Sequence, residues 1–264
     1  MTLLQTLIAV FAFSSVAMVL VWLWALKIRN IGIVDVAWAA LMGIAGLFCA
    51  YMGSGSLTAR AALAAFAGIW SLRLFLALLQ RVSHEPEDGR YQALRAEWQG
   101  SPVKFFVFFQ GQALVVTLFT LPFYAAAANT AMQPGIWLYS AIGFFSLSIL
   151  GESLADRQLA AFRSNPDNRG ITCRTGLWAW SRHPNYFFEW LHWFAYVCLA
   201  VGGAYFGMSW VGPLVMLAFL YRVSGIPWTE AQALRSRGED YRRYQREVSA
   251  FFPMPPNTSS KEKL

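Results

Sequence analysis

The sequence predicts an all-α integral membrane bundle of about seven transmembrane helices, with the N-terminus outside and the C-terminus cytoplasmic. Three observations carry that reading. Apolar types make up 57% of the 264 residues and charged types 13%, against ~25% charged in ordinary soluble domains. Seven stretches reach or approach the roughly 20 apolar residues that a helix needs to cross the hydrocarbon core. All Lys and Arg except Arg60 and Arg73 fall on one side of those stretches, which the positive-inside rule makes the cytoplasmic side. The formal net charge of +7 is therefore a topology signal rather than a nucleic-acid patch. A disordered chain, a disulfide-stapled module and a soluble cytosolic domain are excluded on composition. An integral, multi-pass place in a membrane is the expected location.

Taken in order, the spans cover about 3–26, 31–52, 60–80, 104–127, 134–152, 184–203 and 207–223. The first is read as a retained span, because Met-Thr-Leu-Leu-Gln lacks a basic n-region and the apolar run is too long for a signal peptide. Runs such as Ala61-Ala62-Leu63-Ala64-Ala65 allow close helix contact in lipid. The two long connections are 81–103 and 153–183. In the first, Glu87-Asp88-Gly89-Arg90-Tyr91 reads as a turn into a short helix; in the second, the fifth helix runs on until Asn165-Pro166 stops it. After the last span, Pro227 to Tyr244 reads as an amphipathic cytoplasmic helix. Residues 1–254 form one helical domain and 255–264 a polar tail.

Ionisable groups inside spans cost about 2.5–3.5 kcal/mol each near mid-membrane, so they mark candidate sites. Asp35 lies in span 2, Arg73 in span 3, and Glu189 and His192 in span 6. Pro184 suits a helix start, and from there Asn185, Glu189, His192 and Tyr196 fall on one face. The free N–H groups of that start, beside Arg182 and His183, make an anion pocket; the alternative is a capping loop whose arginine meets lipid headgroups. Glu152, Asp156 and Arg163 share a face of span 5, either as part of the same cytoplasmic mouth or as a surface salt-bridge ladder. Three histidines and the widely spaced Cys49, Cys173 and Cys198 make no metal or disulfide framework. No Walker loop, GxGxxG or nucleophile elbow occurs.

The segment Gly176-Leu177-Trp178, Ser181-Arg182-His183-Pro184-Asn185-Tyr186, Glu189 and Trp193 resembles the signature of steroid 5-alpha-reductase-type membrane proteins. It most resembles their bacterial branch, the DUF1295 family, over about residues 30–256. Counterparts of Asp35, Trp38, Arg73, Glu87-Asp88, Arg90-Tyr91, Glu152, Asp156, Gln158, Phe162, Glu230, Tyr241 and Tyr244-Gln245 belong to that likeness. The resemblance implies a seven-helix bundle with a cytoplasm-open pocket for NADPH and a lipid-facing cavity for a hydrophobic enone. By motif position, Asp156, Arg163, Asn185 and Glu189 bind the nucleotide, and Glu152, Arg182, His183, Tyr186 and Glu230 join the candidate set. Span 2 lacks the Gln-Glu pair, and span 3 the tyrosine, with which those reductases polarise the ketone. Asp35, Arg73 and His192 are the candidates for electrophile and proton donor.

The expected activity is thus NADPH-dependent reduction of a C=C bond in a lipid or steroid-like substrate. A second reading is an S-adenosylmethionine-dependent methyltransferase acting on a lipid or isoprenylcysteine. Those enzymes share the RHPxY signature but carry adjacent glutamates where this chain has Thr229-Glu230. A third reading is a lipid-binding scaffold with no nucleotide affinity. Expected partners are membrane lipids and a hydrophobic small molecule, with no nucleic acid; the oligomeric state is left open.

Overall fold

In a computed structural model that describes residues 1–223 and 225–257, the chain is all-helical, with no strand among the described residues. The helices are α1 (Leu3–Ile28), α2 (Ile33–Met52), α3 (Leu57–His84), α4 (Gly89–Glu97), α5 (Pro102–Ala127) and α6 (Ile136–Ser164), followed by α7 (Pro184–Leu191), α8 (Trp193–Ala200), α9 (Phe206–Ser209), α10 (Val211–Ala218), α11 (Ile226–Arg237) and α12 (Glu239–Glu247). A π-helical turn covers Phe219–Val223. Most of the polar tail, 258–264, lies outside the described residues, as do Lys261 and Lys263.

Among the described residues, six helical segments are long and apolar enough to cross a membrane: Leu3–Ile28, Ile33–Met52, Leu57–His84, Pro102–Ala127, Ile136–Ser164 and Phe206–Arg237. This is the make-up of a multi-pass membrane protein. The stretch expected as a continuous span over 184–203 is instead α7 and α8, eight residues each, meeting at His192. The His192 ring Nδ1 lies 2.5 Å from the Glu189 carbonyl. A side chain that takes a carbonyl out of the helical ladder is a known cause of such a break. The expected stripe over Asn185, Glu189, His192 and Tyr196 is therefore not one unbroken helix face.

The chain forms two compact units, 1–141 with 196–212, and 142–195 with 213–264. In the first, α1 is built inside out. Thr6, Val10, Ser14 and Met18 are buried, while Leu4, Ile8, Phe13, Val16 and Leu20 are more than half exposed. A soluble helix does the reverse; here lipid is the apolar solvent, and small or polar residues make the helix contacts. A clasp of that kind joins α1 to α5, where the Ser15 hydroxyl donates to Gln110 Oε1 at 2.6 Å. Between α2 and α3 the backbones approach closely. A Cβ on Gly43 would sit 2.2 Å from Ser71 Oγ, and that hydroxyl donates to the Ala39 carbonyl at 2.6 Å. Along the α1–α2 face runs an apolar cavity of about 340 Å³ lined by Val10, Phe13, Leu41, Ile44 and Phe48 among others.

In the second unit, the Phe188 ring of α7 lies against α6 at Gly151, where an added Cβ would meet the ring at 2.4 Å. Overpacking of a closed contact costs about 1–3 kcal/mol. Gly151→Ala is expected to destabilise the protein by that amount, read as a lowered midpoint in detergent unfolding; an unchanged midpoint would show that the Phe188 contact is not closed. After α6 the chain makes 3-10 turns at Pro166–Asn168 and Gly176–Ala179. Gln158 Oε1 accepts from the Leu177 N–H at 2.9 Å, and the Trp178 indole donates to the Ala155 carbonyl at 2.9 Å, so the second turn is fastened to α6. The expected single amphipathic helix after the last span is the hairpin of α11 and α12, turned at Gly238, with Ala233, Tyr241, Tyr244 and Val248 as its core.

Candidate functional site

The candidate cofactor residues all belong to the second unit. Glu152 and Asp156 lie one turn apart on α6, with Glu152 buried and Asp156 half-buried. Asn185 and Glu189 lie one turn apart on α7. The two helices meet through these groups: the Asn185 amide donates to Asp156 Oδ1 at 3.4 Å. Pro184 occupies the first turn of α7, and the Asn185 side-chain oxygen accepts from the Tyr186 N–H at 3.0 Å, which holds the amide at the helix start. Arg163 stands about two turns beyond Asp156 in the last turn of α6 and is exposed.

Arg182 takes a different place from the one expected. Its Nε donates to Glu230 Oε1 at 2.7 Å, and its Nη1 donates to the carbonyls of Gln245 at 3.0 Å and Val248 at 2.7 Å. The Gln245 amide donates to the other Glu230 oxygen at 2.7 Å. Arg182 therefore ties the turn before α7 to α11 and to the C-terminus of α12. Its side chain is 11% exposed and that of Glu230 15%. Both residues are structural fasteners first, because their main hydrogen-bonding capacity is spent within the protein. Gln245 and Tyr244, the latter donating to the Trp178 and Ser181 carbonyls, complete this fastening.

His183 is buried, with Nε2 at 3.2 Å from Glu230 Oε1, and its ring stacks on Tyr186 at 5.2 Å with 6° between planes. The Tyr186 hydroxyl in turn lies 3.0 Å from Thr229 Oγ1. Burial first of all holds the imidazole below the ordinary histidine value of 6.5, partly offset by Glu230. The unfolded chain therefore binds the proton at a higher pH than the folded protein does. The stabilisation from neutral His183 is complete above about pH 6.5 and is lost as pH falls below it. Unfolding midpoints of the parent and of His183→Gln, compared between pH 5 and 8, check this; the parent should lose stability on acidification and the variant should be flatter.

The candidate catalytic groups divide between the units. His192 is fully buried at the α7–α8 break. Arg73 is half-buried on α3 in the first unit. Asp35, in the first turn of α2, accepts from the Tyr91 hydroxyl at 2.6 Å and from Arg90 Nη2 at 3.1 Å. Both carboxylate oxygens are thus occupied as acceptors, one by a cation, which is the bonding of a positioning group rather than of a proton donor. Around it Asp88 caps α4 by accepting from the Arg90 N–H at 2.8 Å, and it pairs with Arg81. Glu87 accepts from the Ile31 N–H at 2.6 Å and from Arg95 at 2.8 Å. The 81–103 connection is in this way locked to the start of α2.

Tyr91, which donates to Asp35, is not among the residues that the sequence marks as candidates for chemistry. Burial, and next the Asp35 charge, raise its phenol well above the usual value, so it keeps its proton. Its position within the Glu87–Tyr91 motif was the available signal. A second unclaimed group is the Trp38 indole N–H on α2, which is buried with no acceptor among the described residues and faces the Trp70 and Phe119 rings edge-on.

A family model described as "Protein of unknown function (DUF1295)" matches residues 21–248. The chain belongs to the DUF1295 family. No curated protein and no solved structure matches it. Both groups described here, the Asp35–Arg90–Tyr91 clasp and the Asp156–Asn185 pair with its Arg182–Glu230 support, fall inside the DUF1295 match.

Proposed function

We propose that this DUF1295 protein is a membrane-embedded NADPH-dependent reductase acting on a C=C bond conjugated to a carbonyl in a hydrophobic lipid or steroid-like molecule. The observation that carries the reading is the meeting of Asp156 and Asn185, two residues that the reductase resemblance assigns to the nucleotide, across α6 and α7. The donor set fits such a group. A carboxylate and a carboxamide suit hydroxyl and amide groups, and Arg163 suits phosphate. Asp156, Asn185, Glu189 and Arg163 would hold the nucleotide, and the fastened Arg182–Glu230–Gln245 cluster keeps α7, α11 and α12 in register beneath it. When bound, NADPH supplies hydride. The protein's part is to orient the substrate, exclude water and provide a hydrogen-bond donor to the carbonyl oxygen. Of the residues expected for that role, Asp35, Arg73 and His192, Asp35 is held within the first unit by Tyr91 and Arg90 and is a positioning group there. The apolar cavity of the first unit lined by Val10, Phe13, Leu41 and Phe48 has a volume within the roughly 300–1,000 Å³ of small-molecule sites and suits an apolar ligand.

The proposal includes seven membrane crossings, with α7 and α8 together forming the short sixth, the N-terminus outside and the C-terminus in the cytoplasm of a bacterial inner membrane. The second reading, methyl transfer from S-adenosylmethionine, draws on the Arg182-His183-Pro184 signature and on Glu230. The commitment of Arg182 and Glu230 to one another leaves it the weaker of the two. Titration of the purified protein with NADPH and with S-adenosylmethionine decides between them. Saturable NADPH binding with none for S-adenosylmethionine is expected; the reverse would replace reductase by methyltransferase.

A further inference from the structure

We propose that residues 249–254, which follow α12, are an interfacial anchor: a strap fastened to the turn before α7 that sets its apolar edge, with Trp180, into the headgroup level of the membrane. The inference goes beyond the nucleotide reading and does not depend on it. The strap and everything it touches belong to the second unit. It is tied down three times: the Arg182 N–H donates to the Ser249 carbonyl at 2.8 Å, the Ser181 hydroxyl to the Phe251 carbonyl at 2.8 Å, and the Met254 N–H to the Trp180 carbonyl at 3.0 Å. Pro253, Pro255 and Pro256 lack the N–H that a continued helix would use. Held in this way, two successive phenylalanines go to different places. Phe251 is fully buried, with its ring centre 5.8 Å from Phe187 and 5.7 Å from Trp190 of α7, and 5.4 Å from Tyr221. Phe252 meets the same α7 pair at 6.1 and 5.8 Å but is 47% exposed, and Trp180 and Met254, joined by their backbone bond, are 47% and 52% exposed.

Single exposed apolar side chains are ordinary, but a group of them on a segment that is pinned in place marks a contact surface. What borders the group decides the partner. Tyr221 lies in the π-helical turn of Phe206–Arg237, a segment long and apolar enough to cross a membrane, and its neighbours Leu214 and Val223 are more than half exposed, as lipid-facing residues are. The Trp190 indole donates to the Pro213 carbonyl of that same segment at 3.0 Å, so the aromatic bed under the strap is packed against it. The strap therefore continues an apolar surface that already faces lipid. Arg222, next to Tyr221, is exposed and has no ion pair among the described residues, which suits a long cation reaching phosphate level. The exposed residues of α12 are of the other kind: Glu239, Arg242, Arg243 and Arg246, a surface for water. Tryptophan is enriched at the headgroup level, and phenylalanine is a typical apolar contact of interfacial segments. A soluble protein partner would not require the patch to adjoin the end of a membrane-crossing segment.

The test places one nitroxide spin label at a time on the full-length protein in phosphatidylcholine nanodiscs, at Phe252→Cys, at Met254→Cys and, as a water-facing control, at Arg242→Cys. Cys49, Cys173 and Cys198 are buried, so the added thiol is the reactive one, and the unsubstituted protein taken through the same labelling gives the background. Collision rates are measured with molecular oxygen, which concentrates in hydrocarbon, and with a neutral nickel chelate, which stays in water. At 252 and 254 the label should collide more with oxygen than with nickel, and at 242 the order should reverse. A nickel-to-oxygen ratio at 252 and 254 equal to that at 242 would put the strap in water and overturn the anchor. Labels shielded from both reagents would show that protein covers the patch, a second copy or another part of the chain, and would overturn it as well. Met254→Cys alters only an exposed side chain, so it carries the test by itself if Phe252→Cys folds poorly.

Discussion

Replacing Arg182 by alanine is expected to cost about 3 kcal/mol of stability, near the lower end of the ~3–5 kcal/mol range for breaking a buried ion pair from one side. Three hydrogen bonds are lost, to Glu230, Gln245 and Val248, and Glu230 is left as a largely buried carboxylate without its cation. Because this guanidinium joins α11 and the end of α12 to the turn before α7, alongside the bonds of Tyr244 and His183, the loss should loosen the seating of the hairpin without releasing it. Removing both partners is gentler, since no charge is stranded. Arg182→Met combined with Glu230→Leu should therefore recover part of the stability lost in Arg182→Ala. Chemical unfolding of the parent, Arg182→Met, Glu230→Leu and the double variant gives the coupling energy directly. An Arg182→Ala protein of parental stability that has lost only nucleotide affinity would reassign the guanidinium to the ligand.

Asp156→Ala and Asn185→Ala should each weaken NADPH binding by roughly 30- to 150-fold, about 2–3 kcal/mol, the scale of a hydrogen bond to a charged group left unmade. The fold should tolerate both. The Asn185–Asp156 contact is long at 3.4 Å and both residues are half-buried, so its own contribution to stability is small. Equilibrium titration with circular dichroism on the same samples separates the two effects. Parental NADPH affinity in both variants would reject the assignment of this pair to the cofactor.

Much of the architecture could be read from the chain alone because hydropathy and capping are local. Six of the expected spans coincide with helical segments long and apolar enough to cross a membrane. The cap at Asp88 and the stop at Asn165-Pro166 fall where the residues themselves demand. The interruption at His192 could not be read this way. The apolar residues continue on both sides of it in sequence, and the contact of its ring with the Glu189 carbonyl is a matter of three-dimensional placement. Similarly, Gly238 lies inside a polar run that has helical periodicity on both sides, and the hairpin is decided by the packing of Tyr241 and Tyr244 on Ala233.

The order of spans, the side on which basic residues gather and the residue types at the α6–α7 junction follow from composition and motif, which depend on neighbours in sequence. Partner choice does not. Asp35 and Tyr91 are 56 residues apart and Arg182 and Glu230 are 48 apart, and nothing in the local sequence distinguishes a carboxylate that meets a ligand from one that meets an arginine of the same chain. A charge in a low-dielectric setting must find a counter-charge or hydrogen-bond donors, and which one it finds depends on how the helices pack. That packing turned Arg182 and Glu230 into fasteners and joined Asp35 to Tyr91.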